Sequence, residues 1–213
     1  MIQFSLFGIP ISIQPFFWVT MALLGGAFRS DTQTSDGLLR LGLFMIAGFI
    51  SILIHELGHA LTIKAFKLRP SITLQAFGGF ASYPAGILTR PQSFLVTAGG
   101  PAIQLLLALG AFLLLDVPGI RENVNTSYFV WKLFLVSLFW ALLNLLPILP
   151  LDGGQLVNAI LGPARIRITL WITIIAAIGA GLLLYRFTGP LFLIFLGMFA
   201  FQAFQALREN NWR

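Results

Sequence analysis

The sequence predicts an all-α polytopic membrane protein: six transmembrane helices, with a small β-hairpin or sheet element between helices 2 and 3. Three observations predict it. Hydrophobic residues make up 58% of the 213-residue chain and charged residues only 9%, against about 25% charged in an ordinary soluble domain. Six apolar runs approach the roughly 20 residues that a helix needs to cross a bilayer. One connection, residues 64–92, alternates apolar with polar instead of following a helical period.

The elements follow in chain order. Ile2-Gln3-Phe4-Ser5-Leu6 alternates and then reaches Gly8, Pro10 and Pro15, which predicts a short strand or interfacial segment. The six spans are expected over residues 10–28, 41–63, 93–115, 128–147, 168–185 and 190–207. The first 28 residues carry no charged side chain, so they lack the positive start of a cleaved signal peptide, and the segment is expected to be retained. Between the second and third spans, Ser71-Ile72-Thr73-Leu74-Gln75-Ala76-Phe77 alternates, Gly78-Gly79 signals a turn, and Phe80-Ala81-Ser82-Tyr83 follows before Pro84. That is a hairpin pattern. No connection has the polarity or length of a separate soluble unit, so a single domain over residues 1–213 is expected.

Formal net charge is +6, but the thirteen Lys and Arg are scattered between apolar runs. There is no basic block and no aromatic-basic interleaving, which argues against a nucleic-acid partner and for interfacial anchoring in lipid. With six spans, Lys64, Lys67, Arg69, Arg90, Arg165, Arg167, Arg208 and Arg213 share the side of both termini, and Arg29, Arg40, Arg121, Lys132 and Arg186 face the other. The bias towards positive charge inside places both termini in the cytoplasm of a prokaryotic cell membrane. The absence of cysteine excludes a disulfide framework and a thiolate metal site.

His55-Glu56-Leu57-Gly58-His59 contains both histidines of the chain and lies within the second apolar run. Histidines at i and i+4 share a helix face, so two imidazole nitrogens converge on one ion while Glu56 reaches the water held there. A carboxylate placed in hydrocarbon is costly and marks a function, and a divalent cation offsets that cost. Two histidines need a third protein ligand. Asp31, Asp36, Asp116, Glu122 and Glu209 fall in expected connections or the tail, which leaves Asp152, in Pro147-Ile148-Leu149-Pro150-Leu151-Asp152-Gly153-Gly154. The prolines interrupt the fourth span and the glycines let the backbone bend, so Asp152 can be aimed sideways. The alternative is an aspartate that caps the next helix beside a glycine turn.

HELGH in one span, with Asn144-x-x-Pro147-x-x-Pro150-x-Asp152-Gly153 at the end of a later one, resembles the site-2 protease (M50) family of intramembrane zinc metalloproteases. The likeness extends to the Gly-Gly hairpin and to Ala98-Gly99-Gly100-Pro101 opening the third span. It implies one Zn²⁺ held by His55, His59 and Asp152, Glu56 as general base, and Asn144 contacting substrate. It implies hydrolysis of peptide bonds in or near the transmembrane segment of a membrane-protein substrate. Where the family often has Asn three residues after this proline, the chain has Gln104. Segments resembling the family's PDZ or CBS domains are not expected. A membrane protein that binds or transports a divalent metal without proteolysis would also use His55, His59 and Asp152, but it gives Glu56 no task. The 71–83 hairpin is expected to offer a strand edge to an unwound substrate.

Overall fold

The computed structural model of the chain describes residues 1–28, 30–84 and 86–209. In order, its elements are β1 (Ile2–Leu6), β2 (Ile9–Ile13), α1 (Pro15–Leu24), a 3₁₀ turn (Ser30–Gln33), α2 (Ser35–Ala65), β3 (Ser71–Gln75), β4 (Gly78–Ser82), α3 (Arg90–Leu114), α4 (Pro118–Arg121), α5 (Val124–Asn144), α6 (Asp152–Leu161), a second 3₁₀ turn (Pro163–Arg165), α7 (Ile166–Thr188) and α8 (Pro190–Glu209). Among the described residues, five helical segments are long and apolar enough to cross a membrane: Ser35–Ala65, Arg90–Leu114, Val124–Asn144, Pro163–Phe187 and Pro190–Glu209. This is an integral membrane protein. Two compact units can be distinguished, Met1–Ile87 with Gly99–Ala141, and Leu88–Ala98 with Leu142–Arg213.

The first unit is built on a four-stranded sheet of order β1-β2-β3-β4, in which both hairpins are antiparallel and β2 pairs with β3 in parallel. Helices α1 and α2 lie between the parallel strands in sequence, as such a crossover requires. Ile9, Ile11 and Ile13 of β2 and Ile72 and Leu74 of β3 are buried. They form one core with Phe17 and Met21 of α1 and Ile52, Leu53, Leu57 and Ala60 of α2. The sheet is thus the packing partner of the α2 turns that carry the histidines. Thr34 caps α2 by accepting from the Gly37 amide at 3.1 Å, and Lys64 near its other end donates to the Phe7 carbonyl at 2.6 Å.

The expected first span over residues 10–28 is corrected. Its opening residues form β2, and α1 is a ten-residue helix, about 15 Å long where the hydrocarbon core is about 30 Å. Ile9-Pro10-Ile11-Ser12-Ile13 alternates, with its three isoleucines turned into the core and Pro10 exposed, and Pro15 then starts the helix at its first turn. The hairpin turn is also displaced. Gln75 pairs with Gly78, so Ala76-Phe77 forms the loop, Phe77 taking φ 61°, and Gly78-Gly79 opens β4.

In the second unit α7 and α8 form a helical hairpin around Gly189 at φ 68°. Arg90 donates to the carbonyls of Ala159 and Ile160 and so satisfies the end of α6. The fourth span stops at Asn144 rather than 147, since Pro147 cannot donate to a continuing helix. Arg29 and Arg213, counted in the charge bias, lie outside the described residues.

Candidate metal centre

His55, Glu56 and His59 occupy successive turns of α2 and are 4%, 4% and 8% exposed. Burial of three ionisable side chains in one short stretch of a 31-residue apolar helix is the first sign of a site. The Nε2 atoms of His55 and His59 stand 3.1 Å apart, with the rings nearly perpendicular at 81°. Two nitrogens bound to zinc at about 2.05 Å in tetrahedral geometry lie about 3.3 Å apart. The pair therefore already has the spacing that one ion needs.

Small residues make room for this arrangement. A Cβ on Gly100 of α3 would collide with the His59 imidazole, and one on Gly58 would collide with the Gly99 carbonyl. The Gly99-Gly100-Pro101 opening lets α3 pass the histidine-bearing turn at backbone distance. Gly79 of β4 acts in the same way for the carboxylate: a Cβ there would stand 2.8 Å from Glu56 Cγ and 3.0 Å from its Oε1. Strand β4 thus runs directly beside Glu56.

The sequence did not mark the partner of His55. Gln104 of α3, fully buried, accepts from His55 Nδ1 at 2.9 Å, and its amide nitrogen donates to Ser51 Oγ at 2.9 Å. The sequence marked Gln104 only as standing where the family often has Asn, which says nothing of what it touches.

In the second unit, Asp152 is the first residue of α6 and is 8% exposed. The chain approaches it through a folded-back turn. A Cβ on Gly153 would collide with the carbonyls of Leu145 and Leu146, and one on Gly154 with the backbone at Ile148 and Leu149. Thr173 of α7 accepts from the Leu149 amide at 3.1 Å, and Gln155 donates to the Pro150 carbonyl at 3.0 Å. The first turn of a helix favours a carboxylate in its charged form, the form that ligates a metal. Asp152 does stand where the helix-capping alternative put it, but the N-cap itself is Leu151. Asn144 ends α5 eight positions earlier and is partly buried. His55 and His59 thus belong to the first unit and Asp152 to the second.

Residues 119–185 match peptidase family M50. The chain carries a peptidase M50 segment there. It is 37% identical over 168 residues to "Putative zinc metalloprotease sll0528" of Synechocystis sp., covering 73% of this chain and 42% of the relative. Stage IV sporulation protein FB of Bacillus subtilis is 29% identical over 148 residues, 68% of this chain and 46% of that protein. The chain thus spans under half the length of these relatives. The site-2 protease from Methanocaldococcus jannaschii superposes with a TM-score of 0.62 at 20% identity, over 96% of this chain and 94% of that one. The chain shares that fold.

Proposed function

We propose that this chain is an intramembrane zinc metalloprotease that hydrolyses peptide bonds in or beside the transmembrane segment of a membrane-protein substrate. The observation that carries the reading is the buried constellation on α2: two imidazole nitrogens 3.1 Å apart with a buried glutamate adjoining them in sequence. Metal storage or transport uses the imidazoles but leaves Glu56 without a role, at the cost of burying a carboxylate.

His55 and His59 through Nε2, with a carboxylate oxygen of Asp152, would hold the ion. A zinc ion held there would supply Lewis-acid polarisation of the scissile carbonyl and acidification of the attacking water. Glu56 takes the proton of that water on a carboxylate oxygen and returns it to the departing amine. Asn144, an amide with both donor and acceptor, is assigned to the substrate backbone or the developing oxyanion. A substrate helix hides its amides in i to i+4 bonds and must unwind before its carbonyl can be attacked. Strand β3 is paired on both sides, so the open edge that receives the unwound segment is that of β4, beside Glu56. Both termini are assigned to the cytoplasm on the distribution of basic residues.

Co-expression with candidate single-span proteins tests the reading. A substrate cut in the presence of wild type and accumulating whole with Glu56→Gln supports it. Equal cutting by both proteins removes Glu56 from the chemistry.

A further inference from the structure

The machinery assigned so far leaves a buried polar chain unused. It begins at His55 Nδ1 and passes to Gln104 Oε1 at 2.9 Å, from Gln104 Nε2 to Ser51 Oγ at 2.9 Å, and from Ser51 Oγ to Ser137 Oγ at 3.0 Å. Gln104, Ser51 and Ser137 are all 0% exposed. They belong to α3, α2 and α5, three long apolar helices in which a polar group left without a partner is costly.

We infer that Gln104 is a positioning residue for the metal centre: it holds the His55 ring in the Nδ1–H tautomer and so turns the Nε2 lone pair towards the metal. The amide's orientation follows from its partners. Gln104 Nε2 also faces the Ser51 carbonyl at 3.4 Å, and a carbonyl can only accept, so the nitrogen lies on the Ser51 side. The oxygen then lies on the His55 side and can only accept, which requires the proton to be on Nδ1. His55 Nε2 is thereby left as a lone pair, 3.1 Å from His59 Nε2. Ser51 fixes the amide from the far side, and Ser137 donates to Ser51, tying the ring orientation to α5. Partners of this kind orient metal-ligating histidines and are worth about 10–100-fold in metal affinity. Glutamine suits the place because its oxygen accepts from His55 while its nitrogen donates to Ser51, one turn earlier on the same helix α2, which no apolar residue of its size can do.

The inference rests on His55 being a ligand, and its test does not depend on proteolysis. The full chain in detergent micelles is titrated with zinc against a chromophoric chelator, comparing wild type, Gln104→Leu, Gln104→Glu and His55→Ala. Gln104→Leu is expected to bind zinc 10–100-fold more weakly. Gln104→Glu, which keeps the acceptor for Nδ1–H, restores affinity to near that of wild type. Wild-type affinity in Gln104→Leu, or equal weakness in the Glu and Leu variants, overturns the inference. Zinc retained in His55→Ala overturns instead the ligand assignment beneath it. Should Gln104→Leu fail to fold, ¹⁵N-histidine NMR of the metal-free wild type decides, because the chain has only two histidines. A protonated Nδ1 on His55 supports the inference, and a protonated Nε2 contradicts it.

Discussion

His55, Glu56, His59 and Asp152 could be singled out from sequence because ligand chemistry is written in side-chain type, and an apolar chain contains few candidates. Seven carboxylates and two histidines in 213 residues leave little choice. The residues that tune the site were not legible in the same way. Gln104 reaches His55 across 49 positions, and Gly79 abuts Glu56 across 23 positions of chain. Such contacts arise from tertiary packing and leave no local pattern. At this scale the ligand roles separate cleanly. His55→Ala, His59→Ala and Asp152→Ala should each reduce the zinc content of purified protein, since two remaining ligands hold zinc poorly. Metal analysis of folded variants checks this. Full occupancy in Asp152→Ala would remove that residue from the coordination sphere.

Among the elements, the long spans were read to within a few residues, because a helix in lipid must be apolar over its whole length and stops at recognisable breakers such as Pro147. The N-terminal region was misread for a related reason. Ile9-Pro10-Ile11-Ser12-Ile13 is apolar enough to open a span, and its period of two is visible only if five residues outweigh the apolar run behind them. The hairpin over residues 71–83 was legible as a strand pair, but pairing of β3 with β2 could not be foreseen while β2 was assigned to a helix. That pairing leaves β4 as the strand of this hairpin with an open edge. Proline placed in turn at residues 78–82 removes one backbone donor at each position. Where the donor faces the open edge, cleavage should fall by about tenfold or more, the equivalent of about 1.4 kcal/mol, while zinc content stays at wild-type level. A folded, zinc-loaded series with unchanged cleavage rates would rule out the strand edge as the substrate's docking place. Prolines at Thr73 or Gln75 are not suitable probes, since β3 has a strand on each side and loses sheet pairing.

For the whole molecule, orientation in the membrane is the property that decides which compartment's water reaches the site. α2 alone provides a test that does not depend on the number of spans. At 31 residues it is about 46 Å long, more than the roughly 30 Å of hydrocarbon, so its two ends emerge on opposite faces. The chain contains no cysteine, and single cysteines report cleanly. One at Asp36 should react with an impermeant thiol reagent in intact cells, and one at Arg69 only after the membrane is opened. The reverse pattern would place the His55 end of α2 towards the outside. Whichever way the chain lies, the proposed function requires Glu56 to act as a base and not as a ligand. The most direct measurement takes one preparation each of wild type and Glu56→Gln, reconstituted with a transmembrane substrate, and determines zinc content and cleavage on the same sample. Equal zinc with cleavage lost by at least about a hundredfold, the low end of what general acid–base catalysis contributes, is the expected result. Loss of zinc from Glu56→Gln, or cleavage that persists at the wild-type rate, would contradict it.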